Sequence, residues 1–351
     1  MASQNDRILL AYATDRSVVT ESDAKRLTHL NLAFAKIDAK GGFTLNHPLE
    51  AQFDTLRAWN PSLRILASVI PLDPEAFTKC AAEPELRKTM ARNCAEFLNA
   101  RKLDGIDFDW EYPCVPSNGM AAGPNDKVNF TAFLSDVRDA IGSKLLTIAA
   151  GADLYFCESV EIARISEILD FINVMTYDLK CGFHTLAGHH TALYSSTGDY
   201  FRNSCDQAMR LFEAYGAPKD KLVMGAAFYS RKWEGIKDIN HGFLQYSKTG
   251  GGYGRGFTNL TKDYINKNGY VRYWDDEAKA PYLYNADSQT FISYDDETSI
   301  AHKCRYVLDH GYRGLFYWEH GSDPSGALLT AAYNGLSQPD AQAAIEVNRS
   351  I

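Results

Sequence analysis

Eight short apolar runs, each separated from the next by a helix-like stretch, constrain this chain more than any other feature. They lie near Ile8–Ala13, His29–Ala35, Arg64–Val69, Gly105–Trp110, Leu145–Gly151, Phe171–Tyr177, Leu222–Tyr229 and Gly314–Trp318. The stretches between them include Glu85–Ala100 and Val128–Ile141. In the first of these Leu86, Met90, Cys94, Phe97 and Leu98 recur at helical spacing, and Pro84 in front suits a first helical turn. Eight strand–helix repeats predict an α/β chain closed as a (β/α)8 barrel, the TIM-barrel architecture, rather than an open sheet. One connection is too long for this plan. From about Trp233 to Asp295 the chain is aromatic-rich and carries the turn signals Gly250-Gly251-Gly252 and Asn268-Gly269. Hairpin-like runs fall at Tyr270–Trp274, Tyr282–Tyr284 and Thr290–Tyr294. A structureless loop of that length is improbable in a compact fold, so a small α+β insertion is expected. The predicted organisation is a barrel over 1–232 and 296–351, with an insertion domain over 233–295.

The chain has 351 residues, of which 45% are hydrophobic, enough for a sizeable core. Its net charge of −8 argues against a nucleic-acid partner, because phosphate binding wants a basic face. No apolar run approaches the roughly 20 residues that span a bilayer. Near the N-terminus Ile8-Leu9-Leu10-Ala11 is apolar, but Asp15 and Arg16 follow almost at once. That is not a signal-peptide pattern. The expectation is a cytoplasmic protein, or a secreted one whose signal has been removed. Seven cysteines (Cys80, Cys94, Cys114, Cys157, Cys181, Cys205 and Cys304) show no metal-ligand spacing. They read mostly as free thiols, mildly favouring a reducing compartment.

The segment Leu103-Asp104-Gly105-Ile106-Asp107-Phe108-Asp109-Trp110-Glu111-Tyr112-Pro113 carries the chemistry. Side chains alternate along a strand, so Asp107, Asp109 and Glu111 share one face and Ile106, Phe108 and Trp110 the other. The apolar face suits packing against helices. The acids then line the inside of the barrel and climb towards its C-terminal mouth, where barrel active sites sit. Asp104 has the wrong parity and is expected to support the start of the strand. Three inward carboxylates cannot all be ionised cheaply. Repulsion and burial should raise at least one pKa, leaving a protonated acid near neutral pH. Glu111, nearest the mouth and longest in reach, is the natural proton donor. Ion pairs to buried bases, or a bound metal, are the structural alternative.

This segment closely resembles the D-G-x-D-x-D-x-E signature of family 18 glycoside hydrolases, the chitinase family. Met175-Thr176-Tyr177-Asp178 is similar to the family's M-x-Y-D motif, Tyr229-Ser230-Arg231 to its Y-x-R motif, and Trp318 to its floor tryptophan. The long insertion resembles the chitinase insertion domain. One departure stands out: where the family often has S-x-G-G, this chain has Ser68-Val69-Ile70-Pro71. The serine is kept and the glycine pair is lost, which bears on the shape of the cleft wall.

The resemblance implies hydrolysis of β-1,4 bonds between N-acetylglucosamine units in chitin or chito-oligosaccharides, without a cofactor, by a monomer. In that family the substrate's own acetamido oxygen is the nucleophile, an exception to the usual carboxylate pair. Carried over, Glu111 protonates the leaving oxygen and later activates water. Asp109 holds the acetamido N–H and stabilises the oxazolinium ion, Asp107 supports Asp109, and Tyr177 orients the acetamido group. Met175 and Asp178 flank Tyr177. Parity groups Asn173, Met175 and Tyr177 on one strand face, and Gly225, Ala227, Tyr229 and Arg231 on another. Arg231 can bond sugar hydroxyls and Trp318 can seat a pyranose ring. Tyr12, Phe34 and Tyr112 could line the same pocket, with core packing the alternative for each. His184, His189 and His190 invite a metal reading, but they fall in an expected loop and read as solvated. Two other functions stay open. One is an endo-β-N-acetylglucosaminidase or peptidoglycan-directed hydrolase. The other is a non-catalytic, lectin-like chitin binder.

Overall fold

A computed structural model describes residues 7–117 and 119–337. The outer limits expected for the barrel, 1 and 351, lie outside the described residues. Among the described residues there are fourteen strands: β1 (Ile8–Ala13), β2 (His29–Ile37), β3 (Phe43–Thr44), β4 (Arg64–Pro71), β5 (Gly105–Phe108), β6 (Leu145–Gly151), β7 (Phe171–Met175), β8 (Leu222–Ala227), β9 (Tyr229–Glu234), β10 (Gly252–Gly256), β11 (Val271–Asp275), β12 (Ala280–Asn285), β13 (Thr290–Ser293) and β14 (Gly314–Trp318). The first sheet runs β1-β14-β8-β7-β6-β5-β4-β2, with β3 at its end, and β1 also pairs with β2. All the pairings among the eight main strands are parallel, so they close a (β/α)8 barrel as the sequence predicts. Each predicted run supplies one barrel strand.

Helices occupy the intervening stretches. Pro84 is the first residue of the helix Pro84–Ala100, whose Met90, Ala91, Cys94, Phe97 and Leu98 are buried. The helix Glu297–His310 begins on an Asp296 capping box and stops at Gly311, which adopts the left-handed conformation that glycine favours there. The apolar stripes of the helices and the outward faces of the strands form one large core. Ile106, Phe108 and Trp110 belong to it, with Trp110 stacked on Phe77 at 5.3 Å. A separate, smaller cluster fills the barrel interior, with Leu10, Tyr12, Val223 and Phe316 among its members. Gly105 is required at the start of β5, because a Cβ there would lie 2.4 Å from the Leu145 carbonyl oxygen. Beside it Asp104 accepts a hydrogen bond from the Ile65 N–H at 2.8 Å and ties β5 to β4, its expected supporting role.

Between β8 and β14 the chain builds a second, antiparallel sheet in the order β10-β9-β13-β12-β11, with a helix over Phe257–Asp263. It begins at Tyr229 and not near 233. The cause is Phe228, which leaves the parallel ladder after Ala227. Its N–H donates to the Trp318 carbonyl at 2.8 Å, and its ring stacks on Tyr317 at 3.9 Å. The chain then enters β9. Tyr229 and Arg231 therefore do not share a strand with Gly225 and Ala227, contrary to the parity reading. All seven cysteines are free thiols, and five of them are buried.

Candidate active site

The strand β5 ends at Phe108, so Asp109, Trp110 and Glu111 continue past the sheet into the mouth. Asp107 is the deepest acid and is fully buried. Barrel register places it between Ser68 on β4 and Thr147 on β6. Both hydroxyls donate to it, at 2.9 and 2.6 Å. Tyr12 donates at 2.8 Å and the Asn173 amide at 3.2 Å. Burial pushes the Asp107 carboxyl up, and these four donors pull it part of the way back. Asp109 has no such support. It is 6% exposed, and its Oδ1 is buried without a hydrogen-bond partner. Burial, followed by the charges of Glu111 and Asp107, drives its pKa far above the usual carboxylate range. Burial also raises Glu111; a hydrogen bond from Tyr112 opposes the rise and the negative charge of Asp178 adds to it. The mouth thus holds a carboxyl biased to keep its proton and, one step deeper, an acceptor oxygen aimed at no protein group.

Tyr177 lies two residues beyond the end of β7. Burial, and then the charges of Asp109, Glu111 and Asp178, hold its hydroxyl protonated, which places it among the acids. Its ring meets Phe316 at 5.9 Å and Tyr229 at 6.1 Å, edge to face in both cases. Asp178 comes next, with φ of 55°. Its Oδ1 accepts from the Tyr229 hydroxyl and from Arg231 Nε, each at 2.6 Å, while Arg231 Nη2 reaches Oδ2. Burial alone would raise this carboxyl, but contacts with His190 and Arg231 hold it well below the usual range. Arg231 also donates to the Gly251 carbonyl at 3.1 Å and lies 3.7 Å over the ring of Tyr253. The loop after β7 and the second sheet therefore meet at one bidentate ion pair.

Trp318 ends β14 partly exposed. It stacks on Phe34 at 5.4 Å and leans on Tyr12 at 5.8 Å. Met175 packs partly buried against the same interior cluster. Phe34 faces a groove of about 800 Å³ whose walls include Lys36, His47, Ile70, Leu72 and Glu319. Ile70, one of the residues standing in place of the glycine pair, is part of that wall. Tyr112 rests against Phe156 at 6.0 Å, next to Glu111.

Two expectations are corrected. Tyr12 does not line open cleft: at 2% exposure it is interior, and its hydroxyl holds Asp107 from below. His189 and His190 are not solvated. They are 5% and 0% exposed, because the loop after β7 is folded under the second sheet. His189 lies 3.1 Å from Asp275, and His190 lies 3.6 Å from Asp178. Among the described residues no group of three or more His, Cys, Asp or Glu is placed to hold a metal ion. Sequence reasoning named His190 only for a metal or a solvated loop and missed its place beside Asp178, as it missed Tyr253 and the donor role of Thr147. For Thr147 the signal was only its register opposite Asp107, invisible until strands are paired.

A closed parallel barrel with graded carboxylates at its C-terminal mouth has the layout of a barrel acid–base site. The chain belongs to the glycosyl hydrolases family 18, whose model matches residues 8–323. Chitinase A1 of Niallia circulans is 36% identical over 82% of this chain and 45% of its own length. Chitinase B of Serratia marcescens is 27% identical over 94% of this chain and 82% of its own. Among solved structures, a family 18 N-acetylglucosaminidase from Paenibacillus barengoltzii is similar with a TM-score of 0.89. It is 44% identical, covering 94% of this chain and 99% of that one. The chain spans about half the length of some curated relatives, including 51% of the Manduca sexta Endochitinase.

Proposed function

We propose that this chain is a chitinase that hydrolyses β-1,4 linkages between N-acetylglucosamine units with retention, using the substrate's acetamido group as nucleophile. The observation that carries the reading is the pair formed by Asp109 and Glu111: a buried carboxylate oxygen without a partner beside a carboxyl pushed up by burial. Glu111 gives its proton to the glycosidic oxygen. The free Oδ1 of Asp109 accepts the acetamido N–H and faces the positive charge that grows on the ring and acetamido carbon. Asp107, fixed by four donors, supports Asp109 from behind. The Tyr177 hydroxyl turns the acetamido oxygen towards the anomeric carbon. Water, deprotonated by Glu111, then opens the cyclic intermediate on the same face. Trp318, backed by Phe34, seats the apolar face of the reacting sugar. The second sheet acts as an insertion domain that walls the cleft, delivering Arg231 and Tyr229 to Asp178.

The test is Glu111→Gln, which keeps the shape and removes the proton. Turnover of a chito-oligosaccharide should fall by about 10²–10⁴-fold, the usual contribution of general acid catalysis, while the oligosaccharide still binds. A variant keeping more than about half the parent rate overturns the assignment, given that factor. A second reading, action as an N-acetylglucosaminidase, has one observation behind it: the Paenibacillus enzyme matches nearly the whole chain. Products from defined oligomers decide between them. Monosaccharide from the first turnovers supports the second reading, and disaccharide or longer products support the first.

A further inference from the structure

His190 has no part in the steps above, yet its ring is wholly buried at the mouth. Its Nδ1 lies 3.5 Å from the Asp178 backbone nitrogen and 3.6 Å from Asp178 Oδ1. Its Nε2 is buried and makes no hydrogen bond. The ring tilts against Tyr229 at 5.2 Å. The backbone of His190 is held on both sides. Its N–H donates to Ser293 Oγ at 2.9 Å, and its carbonyl accepts from the Leu179 N–H at 3.0 Å. The histidine therefore arrives from the second sheet's side as a fixed part. Asp178 is the opposite case. A non-glycine residue at φ of 55° adopts a sparsely populated backbone conformation and needs an external hold.

We propose that His190 is a positioning residue for Asp178: it holds the left-handed turn there and aims the carboxylate at Arg231 and Tyr229, leaving its negative charge beside Glu111. The inference rests on the reading of Glu111 as the proton donor. The charged groups facing His190 are Asp178, Arg231 and Asp295, and burial pushes the imidazole pKa down despite the two acids. Lys303 pairs with Asp295, so Asp178 is the acid whose contact with the ring matters most. A neutral imidazole that carries its proton on Nδ1 points that N–H towards Asp178 Oδ1 and fills the space behind the carboxylate. Without it, Asp178 loses one of the two contacts that hold its carboxyl low and takes up a proton at higher pH. Protonation removes the charge that helps keep Glu111 acidic-form, and it loosens the Arg231 clamp. That proton is taken up only well below neutral pH, so both limbs of the activity profile stay in place, and the loss at working pH comes from a misaimed carboxylate that lowers kcat.

Three variants and two readouts test this. His190→Leu keeps volume and removes both nitrogens. His190→Asn keeps an amide N–H donor near the position of Nδ1. His190→Gln carries its amide towards Nε2 and leaves the Nδ1 position empty. The first readout is a carbon-detected NMR titration of the Asp178 carboxyl in unliganded protein. The second is the pH dependence of kcat and KM on a chito-oligosaccharide. We expect the leucine variant to raise the Asp178 midpoint by about one pH unit, the scale of losing one polar contact to a buried carboxylate. At neutral pH kcat should fall with KM little changed, and asparagine should restore both the midpoint and kcat. Should leucine prevent folding, glutamine gives the same comparison. An unmoved titration in a folded leucine or glutamine variant, or a shift that asparagine does not reverse, overturns the proposal. The titration needs no turnover. A shifted midpoint in a protein that cuts no chito-oligosaccharide therefore sinks the functional reading and leaves the positioning role standing.

Discussion

At Asp109 the demands of folding and of chemistry oppose each other. Its pKa is raised by burial and by two neighbouring acids, so the folded protein holds that proton more tightly than the unfolded chain does. Stability from this group is present below the unfolded value of about 3.9 and is lost as pH rises through the raised folded value. Asp109→Asn removes the penalty and keeps the shape. Its Tm should exceed the parent's at pH 7, by about 1–2 °C for each kcal/mol of relieved burial in a chain of this size, and should converge on it below about pH 4. At the same time kcat should fall by about 10²–10³-fold, the scale of removing one preorganised electrostatic partner of a transition state. Melting curves across pH and one rate measurement check both halves. A variant that is less stable at pH 7 would show that Asp109 is supported by contacts other than those seen. The ladder Asp107–Asp109–Glu111 was legible in the sequence because strand parity is local. The donors that fix Asp107 were not, since Tyr12, Ser68, Thr147 and Asn173 come from four other strands. Only barrel register brings them to one carboxylate.

The barrel strands could be read from their apolar runs, but the change of sheet at Phe228 could not. Tyr229 and Arg231 continue the alternation of β8 in sequence while belonging to β9 in space. Alternation records which face a residue takes, not which sheet it has joined. The hairpin strands β11, β12 and β13 were legible from their aromatic runs, whereas β10, made of Gly-Tyr-Gly-Arg-Gly, carries no strand signal. A second junction is hidden for the same reason. Where β13 gives way to the helix Glu297–His310, Asp295 accepts from Lys303 Nζ, from Thr191 Oγ1 at 3.3 Å, from the Ala227 N–H at 3.1 Å and from Ser299 Oγ at 2.6 Å. Both members of the Asp295–Lys303 pair are fully buried. Lys303→Met removes one charge and leaves the other without compensation in the interior. It should lower unfolding stability by about 3–5 kcal/mol, seen as a lower urea midpoint with an unchanged slope. Adding Asp295→Asn should recover much of the loss, because the buried charge then disappears while its acceptor oxygen stays. A single variant as stable as the parent would mean that water reaches this junction.

Taken whole, the molecule has two sheets but does not divide into two independent cores. The second sheet has a cluster of its own, with Trp233, Ile236, Phe243, Tyr282, Tyr284 and Phe291 among its members. On the opposite face of the same strands, Leu283 and Ile292 belong to the large core that wraps the barrel, as do Phe257 and Leu260 of the helix beside them. Alternation along β12 and β13 thus assigns one face to the local cluster and the other to the barrel. Three polar or aromatic junctions reinforce the seam: Arg231 on Asp178, Asp295 with Lys303 and Ala227, and Phe228 on Tyr317. A sheet that leaves its barrel must expose Leu283, Ile292 and an uncompensated Asp295 together. Burying a single large aliphatic side chain is worth about 1.5–3 kcal/mol, so separation costs more than a small sheet can recover alone. The two sheets should therefore unfold as one unit. Calorimetry should give a single transition with equal calorimetric and van't Hoff enthalpies, and fluorescence from Trp233 should change at the same temperature as the far-ultraviolet signal of the barrel. An early transition confined to the Trp233 signal would show that the second sheet opens while the barrel stays folded. Arg231 would then leave Asp178 before the acid ladder itself is disturbed.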